Sequence, residues 1–245
     1  MDTYGLLGYP LGHSFSRNYF AEKFQREGID AEYLNFELPT LDAYRDLLSA
    51  RPNLRGHNVT IPYKQQIIPF LDELSPEATA IGAVNVVKRT ADGRLRGYNS
   101  DVIGFVESIR PLLTPQRRRA LILGTGGASR AVLYGLKEKL DFEDVKFVSR
   151  RGGSAYTYGD ITPEIINHYP VIINCTPCGM YPHGDECPRL PYEAMTPNNL
   201  LYDLVYNPEV TLFMQHGAAN GATVKNGLEM LILQAQASWD FWTGD

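Results

Sequence analysis

The sequence predicts an α/β protein built from two successive α/β domains, and three observations predict it. Strand-like and helix-like segments interleave through the first hundred residues, and the alternation restarts at Asp101. The strand-like segments of the second half (120–123, 171–174, 200–204) are dominated by apolar residues, the pattern of parallel strands covered on both faces. A glycine-rich turn, Gly124-Thr125-Gly126-Gly127, separates the first of these from a helix-forming stretch. The length, 245 residues, suits one large domain or two modest ones.

Taken in order, residues 3–9 read as a strand. Ser14 or Ser16 then caps a helix running to about Gly28, with Phe15, Tyr19, Phe20 and Phe24 near one face. Leu34, Phe36 and Leu38 alternate with Asn35 and Glu37, a half-buried strand. Thr40 caps a helix carrying Leu41, Tyr44, Leu47 and Leu48. Residues 54–60 form a short strand, and Pro62 suits the first turn of a helix from which Lys64 projects. Residues 84–88 and 94–98 flank Asp92-Gly93, a hairpin turn signal. After the joint near 99–102 come a helix (102–113), a solvated basic link (Arg117, Arg118, Arg119) and a strand (120–123). A helix (128–140), a strand (145–149), a helix (163–169) and strands at 171–174 and 200–204 follow, and a last helix spans 227–242. The expected division is 1–100 and 101–226, with 227–245 packing back on the first domain.

Composition excludes several classes. Apolar residues are 44% and charged residues 21% of the chain, ordinary globular usage. Lys plus Arg number 23 against 28 Asp plus Glu, a net charge of −5, which offers no basic face for nucleic acid. No apolar run approaches the ~18 residues of a membrane helix. The start, Met1-Asp2, carries acid where an export signal carries positive charge. Three cysteines are an odd count, so a reducing cytoplasm is expected. Cys175 and Cys178 form a C-x₂-C pair, but Cys187 and His183 do not complete a four-ligand zinc site, so reduced loop thiols and no metal are expected. Trp239, Phe241 and Trp242 read as core packing of the last helix.

The glycine turn carries specific physics. Gly124 makes the tight turn, Gly126 lets a pyrophosphate approach the backbone, and the small third position, Ser129 in place of a third glycine, lets helix and strand pack closely. The helix start then offers free N–H groups to phosphate. This is the fingerprint of a doubly wound, Rossmann-type dinucleotide-binding domain. A NAD site places Asp or Glu about 20 residues on, for the ribose 2′-OH. This chain has Ser149-Arg150-Arg151 there instead, and guanidinium groups suit a 2′-phosphate. The expected cofactor is NADP.

In the first domain, polar stretches stand where loops leave strands: His13 to Ser16, Asn58 to Lys64, Asn85, and Asn99-Ser100-Asp101. Ligands of α/β sheets bind beyond the carboxyl ends of strands. Ser14 and Ser16 suit a carboxylate, Asp101 suits a helix cap, and Asn85 inside an apolar stretch needs partners if buried. His13 reads as a turn residue.

Seven ordered motifs then resemble the shikimate dehydrogenase family, which includes quinate/shikimate dehydrogenases. They are His13 to Ser16, Asn58 to Lys64, Gly97 to Asp101, Gly124 to Arg130, Asn174 to Met180, Asp203 to Thr211 and Gly227 to Gln234. The resemblance implies an N-terminal substrate domain, a C-terminal Rossmann NADP-binding domain and an active site in a cleft between them. It implies a catalytic pair, Lys64 and Asp101, and substrate contacts from Ser14, Ser16, Thr60, Asn85, Tyr206 and Gln234. Cofactor contacts are implied at Gly124, Gly126, Gly127, Ala128, Ser149, Arg150, Arg151, Thr176 and Gly227. The implied reaction is reversible, NADP-dependent interconversion of shikimate and 3-dehydroshikimate by a cytoplasmic monomer or homodimer without nucleic-acid or membrane partners.

Oxidising an alcohol requires removal of a hydride from carbon and of a proton from oxygen, and a lysine beside an aspartate serves the proton. A nearby carboxylate also favours charged lysine, so Lys64 either transfers the proton or chiefly polarises the carbonyl. Alternatives are broader specificity toward quinate, and a non-catalytic metabolite sensor, against which Lys64 and Asp101 both stand. Arg17 replaces a proline common in the family, Ser149 an asparagine, and Ser100 a threonine. The glycine- and tyrosine-rich stretch after Arg151 argues against further arginine contacts to a 2′-phosphate.

Overall fold

The structure is a computed structural model that describes every residue except 13, 14, 154 and 245. The chain divides into two units, Met1–Ser100 with Ala235–Asp245, and Asp101–Gln234.

The first unit runs β1 (Asp2–Gly8), α1 (Phe15–Glu27), β2 (Ala31–Glu37), α2 (Tyr44–Ala50), β3 (Leu54–Val59), β4 (Glu73–Leu74), α3 (Pro76–Ile81), β5 (Val86–Arg89) and β6 (Leu95–Tyr98). Its sheet has the order β2-β1-β3-β5-β6-β4. The pairs β1–β2 and β1–β3 are parallel, while β3–β5 and β5–β6 are antiparallel. Strand residues alternate between two cores, as the two-residue period of a strand requires. Leu7, Val59 and Val87 join Tyr44, Ile67 and Ala78 on one face. Tyr4 and Val86 join Phe20, Phe24, Tyr33 and Trp242 on the other. Trp242 lies 4.9 Å from the Tyr4 ring and donates its indole N–H to the Val87 carbonyl at 3.0 Å. Gly56 admits it: a β-carbon there would sit 2.4 Å from the indole.

Two local expectations change. Thr40 gives its hydroxyl to the Asp42 carboxylate and caps no backbone N–H. Residues 61–67 form successive turns rather than a helix. The reason is competition for one carbonyl. A helix needs the Lys64 carbonyl to accept from Ile68, but it accepts from Val84 N–H at 2.7 Å, and Ile68 turns to Gln65 instead. The helix α3 was not legible as an element, although Ser75 caps it and Gly82, at φ +68°, ends it.

The second unit runs α4 (Asp101–Ile109), β7 (Arg119–Leu123), α5 (Gly127–Tyr134), β8 (Asp144–Ser149), β9 (Tyr156–Thr157), α6 (Pro163–His168), β10 (Val171–Asn174), β11 (Leu200–Asp203), α7 (Leu212–Ala219), β12 (Thr223–Lys225) and α8 (Leu228–Thr243). Its strands are ordered β12-β11-β10-β7-β8-β9, all parallel. This is the doubly wound order, whose direction reverses between β7 and β10. Leu121, Leu123, Ile172 and Leu201 form its core with Phe213 of α7 and Ile166 of α6.

The helix α8 is divided between the units: residues through Gln234 group with the second unit and Ala235 onward with the first, whereas the sequence expectation assigned 227–245 whole to the first domain. Gly104 of α4 explains the division. A β-carbon there would lie 2.4 Å from the Met230 carbonyl and 3.2 Å from the Gln234 side chain, so the early turns of α8 lie directly on α4.

Arg117 overturns the expected solvated link. It is 6% exposed. Its guanidinium donates to the carbonyls of Leu112 (2.6 Å), Pro197 (3.1 Å), Asn198 (2.9 Å) and Asn199 (3.2 Å), and to the Thr223 hydroxyl (2.9 Å). The guanidinium thus collects loop carbonyls at the foot of the sheet, and burial pushes its pKa down. Arg118 donates to the Leu140 carbonyl at 2.7 Å. Arg119 begins β7 and faces Glu143 at 3.5 Å. Among the described residues, no helix is long and apolar enough to cross a membrane.

Candidate active site

In the first unit, the ends of β3 and β5 gather the expected substrate residues. Thr60 follows β3, gives its N–H to the Leu7 carbonyl at 2.9 Å, and lays its methyl where a β-carbon on Gly8 would sit, 2.5 Å away. Lys64 is half-buried in the turn beyond, its carbonyl tied to Val84, one residue before Asn85. Asn85 is 3% exposed. Its Oδ1 accepts from Ser100 N–H at 2.7 Å, and its carbonyl accepts from Val59 N–H and from Asn58 Nδ2. Ser16 lies inside the first turn of α1 rather than capping it, and its hydroxyl hydrogen-bonds the Tyr33 phenol. Tyr33 also donates to Asn58 Oδ1 at 2.9 Å, and burial pushes its pKa up. Ser14 and His13 lie outside the described residues.

Asn99 gives its amide N–H to the Ala83 carbonyl at 3.0 Å, while its Oδ1 is buried without a hydrogen-bond partner. An unmade buried hydrogen bond costs about 1–3 kcal/mol. That oxygen stands two residues before Asp101 in the chain.

In the second unit, Asp101 is the first residue of α4 and 3% exposed. It stands within the helix, not before it, with its carboxylate at the positive end of the helix dipole. Gly104, one turn on, meets Gln234 of α8, so Gln234 lies against the α4 face that also carries Asp101. Tyr206 lies beyond β11, 37% exposed, with its pKa raised by partial burial. Gly227 donates its N–H to the Val205 carbonyl at 3.1 Å, and a β-carbon on it would lie 2.2 Å from the Leu204 carbonyl. Its glycine character is explained by that packing.

The cofactor-type residues gather at the switch point. Gly124 ends β7 at φ +94°, a backbone region that favours glycine. A β-carbon there would lie 2.8 Å from the Thr176 methyl, so the loops after β7 and β10 touch where the strand order reverses. Gly126 precedes α5 without a side-chain cap, and β-carbons on Gly126 or Gly127 would meet nothing within 4 Å. Uncapped helix N–H groups beside open space fit a pyrophosphate. Ala128 stands in the first turn of α5. Ser149 ends β8 and gives its hydroxyl to the Arg151 carbonyl, and Arg150 and Arg151 are exposed. No carboxylate stands at Ser149, Arg150 or Arg151, so the donors present suit a 2′-phosphate.

Thr176 is held by a buried network that sequence reasoning did not assign. Asn174 Oδ1 accepts from Thr176 N–H (3.1 Å) and hydroxyl (2.6 Å). Asn174 Nδ2 donates to Asp203 Oδ1 (2.9 Å), and Asp203 also accepts from the Thr211 hydroxyl (2.7 Å) and Val205 N–H (3.0 Å). Burial raises the Asp203 carboxyl to about 6, against the three donors that favour its charged form. The available signal was a polar residue closing each of two apolar strands. Asn58, Tyr33 and Ser238 were also unassigned, and Ser238 carried no sequence signal.

Residues 6–87 match the family described as shikimate dehydrogenase substrate binding domain. A shikimate dehydrogenase (NADP(+)) of Syntrophomonas wolfei is 38% identical over 263 residues, covering 98% of this chain and 89% of that protein. The structure of a shikimate 5-dehydrogenase of Thermus thermophilus in complex with NADP(H) and shikimate is 32% identical, with a TM-score of 0.83 over 100% of this chain and 94% of its own. A quinate dehydrogenase of Corynebacterium glutamicum in complex with NAD is 26% identical, with a TM-score of 0.88 over 100% and 94%. With relatedness at this level along nearly its whole length, the chain belongs to the shikimate dehydrogenase family.

Proposed function

We propose that this chain reduces 3-dehydroshikimate to shikimate with NADPH, reversibly. The observation that carries the reading is the Gly124 turn seated on Thr176 at the switch point of the second unit's sheet, in a chain whose first unit gathers Thr60, Lys64 and Asn85 at its strand ends. NADPH, when bound, supplies the hydride to the carbonyl carbon. Gly124, Gly126, Gly127 and Ala128 hold its pyrophosphate through backbone N–H groups, and Ser149, Arg150 and Arg151 meet its 2′-phosphate. Thr176 and Gly227 shape the nicotinamide end. Ser14 and Ser16 hold the substrate carboxylate. Thr60, Asn85, Tyr206 and Gln234 bind hydroxyl groups. Lys64 and Asp101 handle the proton that the carbonyl oxygen takes up as it becomes hydroxyl.

The test is initial-rate absorbance at the nicotinamide band with shikimate or quinate against NADP⁺ or NAD⁺. Turnover of shikimate with NADP⁺ above the other three combinations supports the reading; no turnover refutes it. The likeness to a quinate dehydrogenase with bound NAD motivates a second reading, broader specificity, which comparable rates with quinate would establish. We place the reaction in the cytoplasm, on the three free thiols, in a monomer or homodimer.

A further inference from the structure

We propose that Ser238, on α8, is a positioning residue of the substrate site, acting through Asn58 and Ser100 on the Asn85 amide; this rests on reading Asn85 as a substrate-binding residue. Ser238 is fully buried, where a hydroxyl is tolerated only if hydrogen-bonded. Its Oγ accepts from Asn58 Nδ2 at 2.9 Å and lies 3.1 Å from Ser100 Oγ. Ser100 grips Asn85 from two atoms. Its N–H donates to Asn85 Oδ1 at 2.7 Å, and its hydroxyl lies 3.1 Å from Nδ2 and 3.3 Å from Oδ1. Asn58 meets Asn85 from the other side, at the carbonyl, 3.2 Å away.

The donor pattern assigns the orientation. The Ser100 N–H is an obligate donor, so the Asn85 atom facing it is oxygen, and the amide nitrogen is the atom that donates to Ser100 Oγ. Ser238 is the bridge that keeps Ser100 and Asn58 together around this amide. The same network continues from Asn58 through the Tyr33 phenol to Ser16. One hydroxyl of the last helix therefore supports two residues expected at the substrate, on α1 and at the start of β5. Alanine would preserve the packing and remove only the bridge.

Ser238→Ala in the full chain tests this by steady-state kinetics with shikimate and NADP⁺. The expected result is a shikimate KM raised roughly five- to tenfold, with the NADP⁺ KM within about twofold of wild type. In an Asn85→Ala background, Ser238→Ala is expected to change the shikimate KM by less than about twofold, because the effect travels through that amide. Ser238→Cys, a weak donor and acceptor of similar size, should fall between serine and alanine, and circular dichroism establishes that each variant is folded. An unchanged shikimate KM in Ser238→Ala, or an equal rise in the Asn85→Ala background, overturns the proposal alone when the wild type oxidises shikimate. A wild type without shikimate oxidation overturns the proposed function and this inference with it.

Discussion

Replacing Asp203 probes how the second unit holds its cofactor-side loop. The carboxylate is fully buried and accepts three hydrogen bonds, from Asn174, Thr211 and Val205. Asp203→Ala strands three donors, each costing about 1–3 kcal/mol if left unpaired. Such costs do not add in full within one network, so a loss of about 3–5 kcal/mol is expected from urea unfolding of the full chain. Asn174 would keep only the Cys178 carbonyl, 3.2 Å away, as the partner of its nitrogen, while its oxygen still holds Thr176 against Gly124. A loop loosened by about 1 kcal/mol raises the NADP⁺ KM about fivefold. The pH dependence has a definite sign. The folded carboxyl titrates at about 6 against an ordinary 3.8, so the folded state binds the proton more tightly. The group's contribution to stability is fully present below about 3.8 and is lost as pH rises through about 6, a swing of about 3 kcal/mol. Compared with Asp203→Asn, which does not titrate, wild type should therefore gain relative stability as pH falls from 7 to 4. A stability loss below about 1 kcal/mol in Asp203→Ala, with an unchanged NADP⁺ KM, would refute the reasoning.

Four further outcomes are expected. Lys64→Ala should lower shikimate turnover by roughly 10²-fold or more while NADPH still binds by fluorescence titration; near-normal turnover removes Lys64 from the mechanism. Arg150→Ala should weaken NADPH by about 1.5–3 kcal/mol and leave NADH unchanged, and an equal loss for both cofactors would mean that the arginine does not read the 2′-phosphate. Arg117→Met should cost about 3–5 kcal/mol in urea unfolding, because four carbonyls and a hydroxyl lose their donor. Arg119→Ala, removing a partly exposed pair, should cost less than about 1 kcal/mol.

Local chemistry made much of the second unit legible. Gly124 at positive φ between an apolar strand and a helix leaves few structural options, and the continuous apolar runs identify β7 and β10 as parallel strands. Lys64 was legible as a residue of interest but not in its setting, since the turn around it depends on a carbonyl claimed by Val84, twenty residues away. Arg117 read as a solvated cation because its neighbours Arg118 and Arg119 are charged, whereas three of its acceptors lie about eighty residues on.

Periodicity, the glycine turn and the absence of an acid after β8 are properties of short segments, and from them alone came the two α/β units and the expectation of a 2′-phosphate. Which polar side chains support others was decided by tertiary structure. Ser238 reaches Asn58 across 180 residues of sequence, and Asp203 reaches Asn174 across 29. A buried hydrogen bond depends on donor–acceptor distance and the exclusion of water, and neither quantity exists until the strands and the last helix have packed.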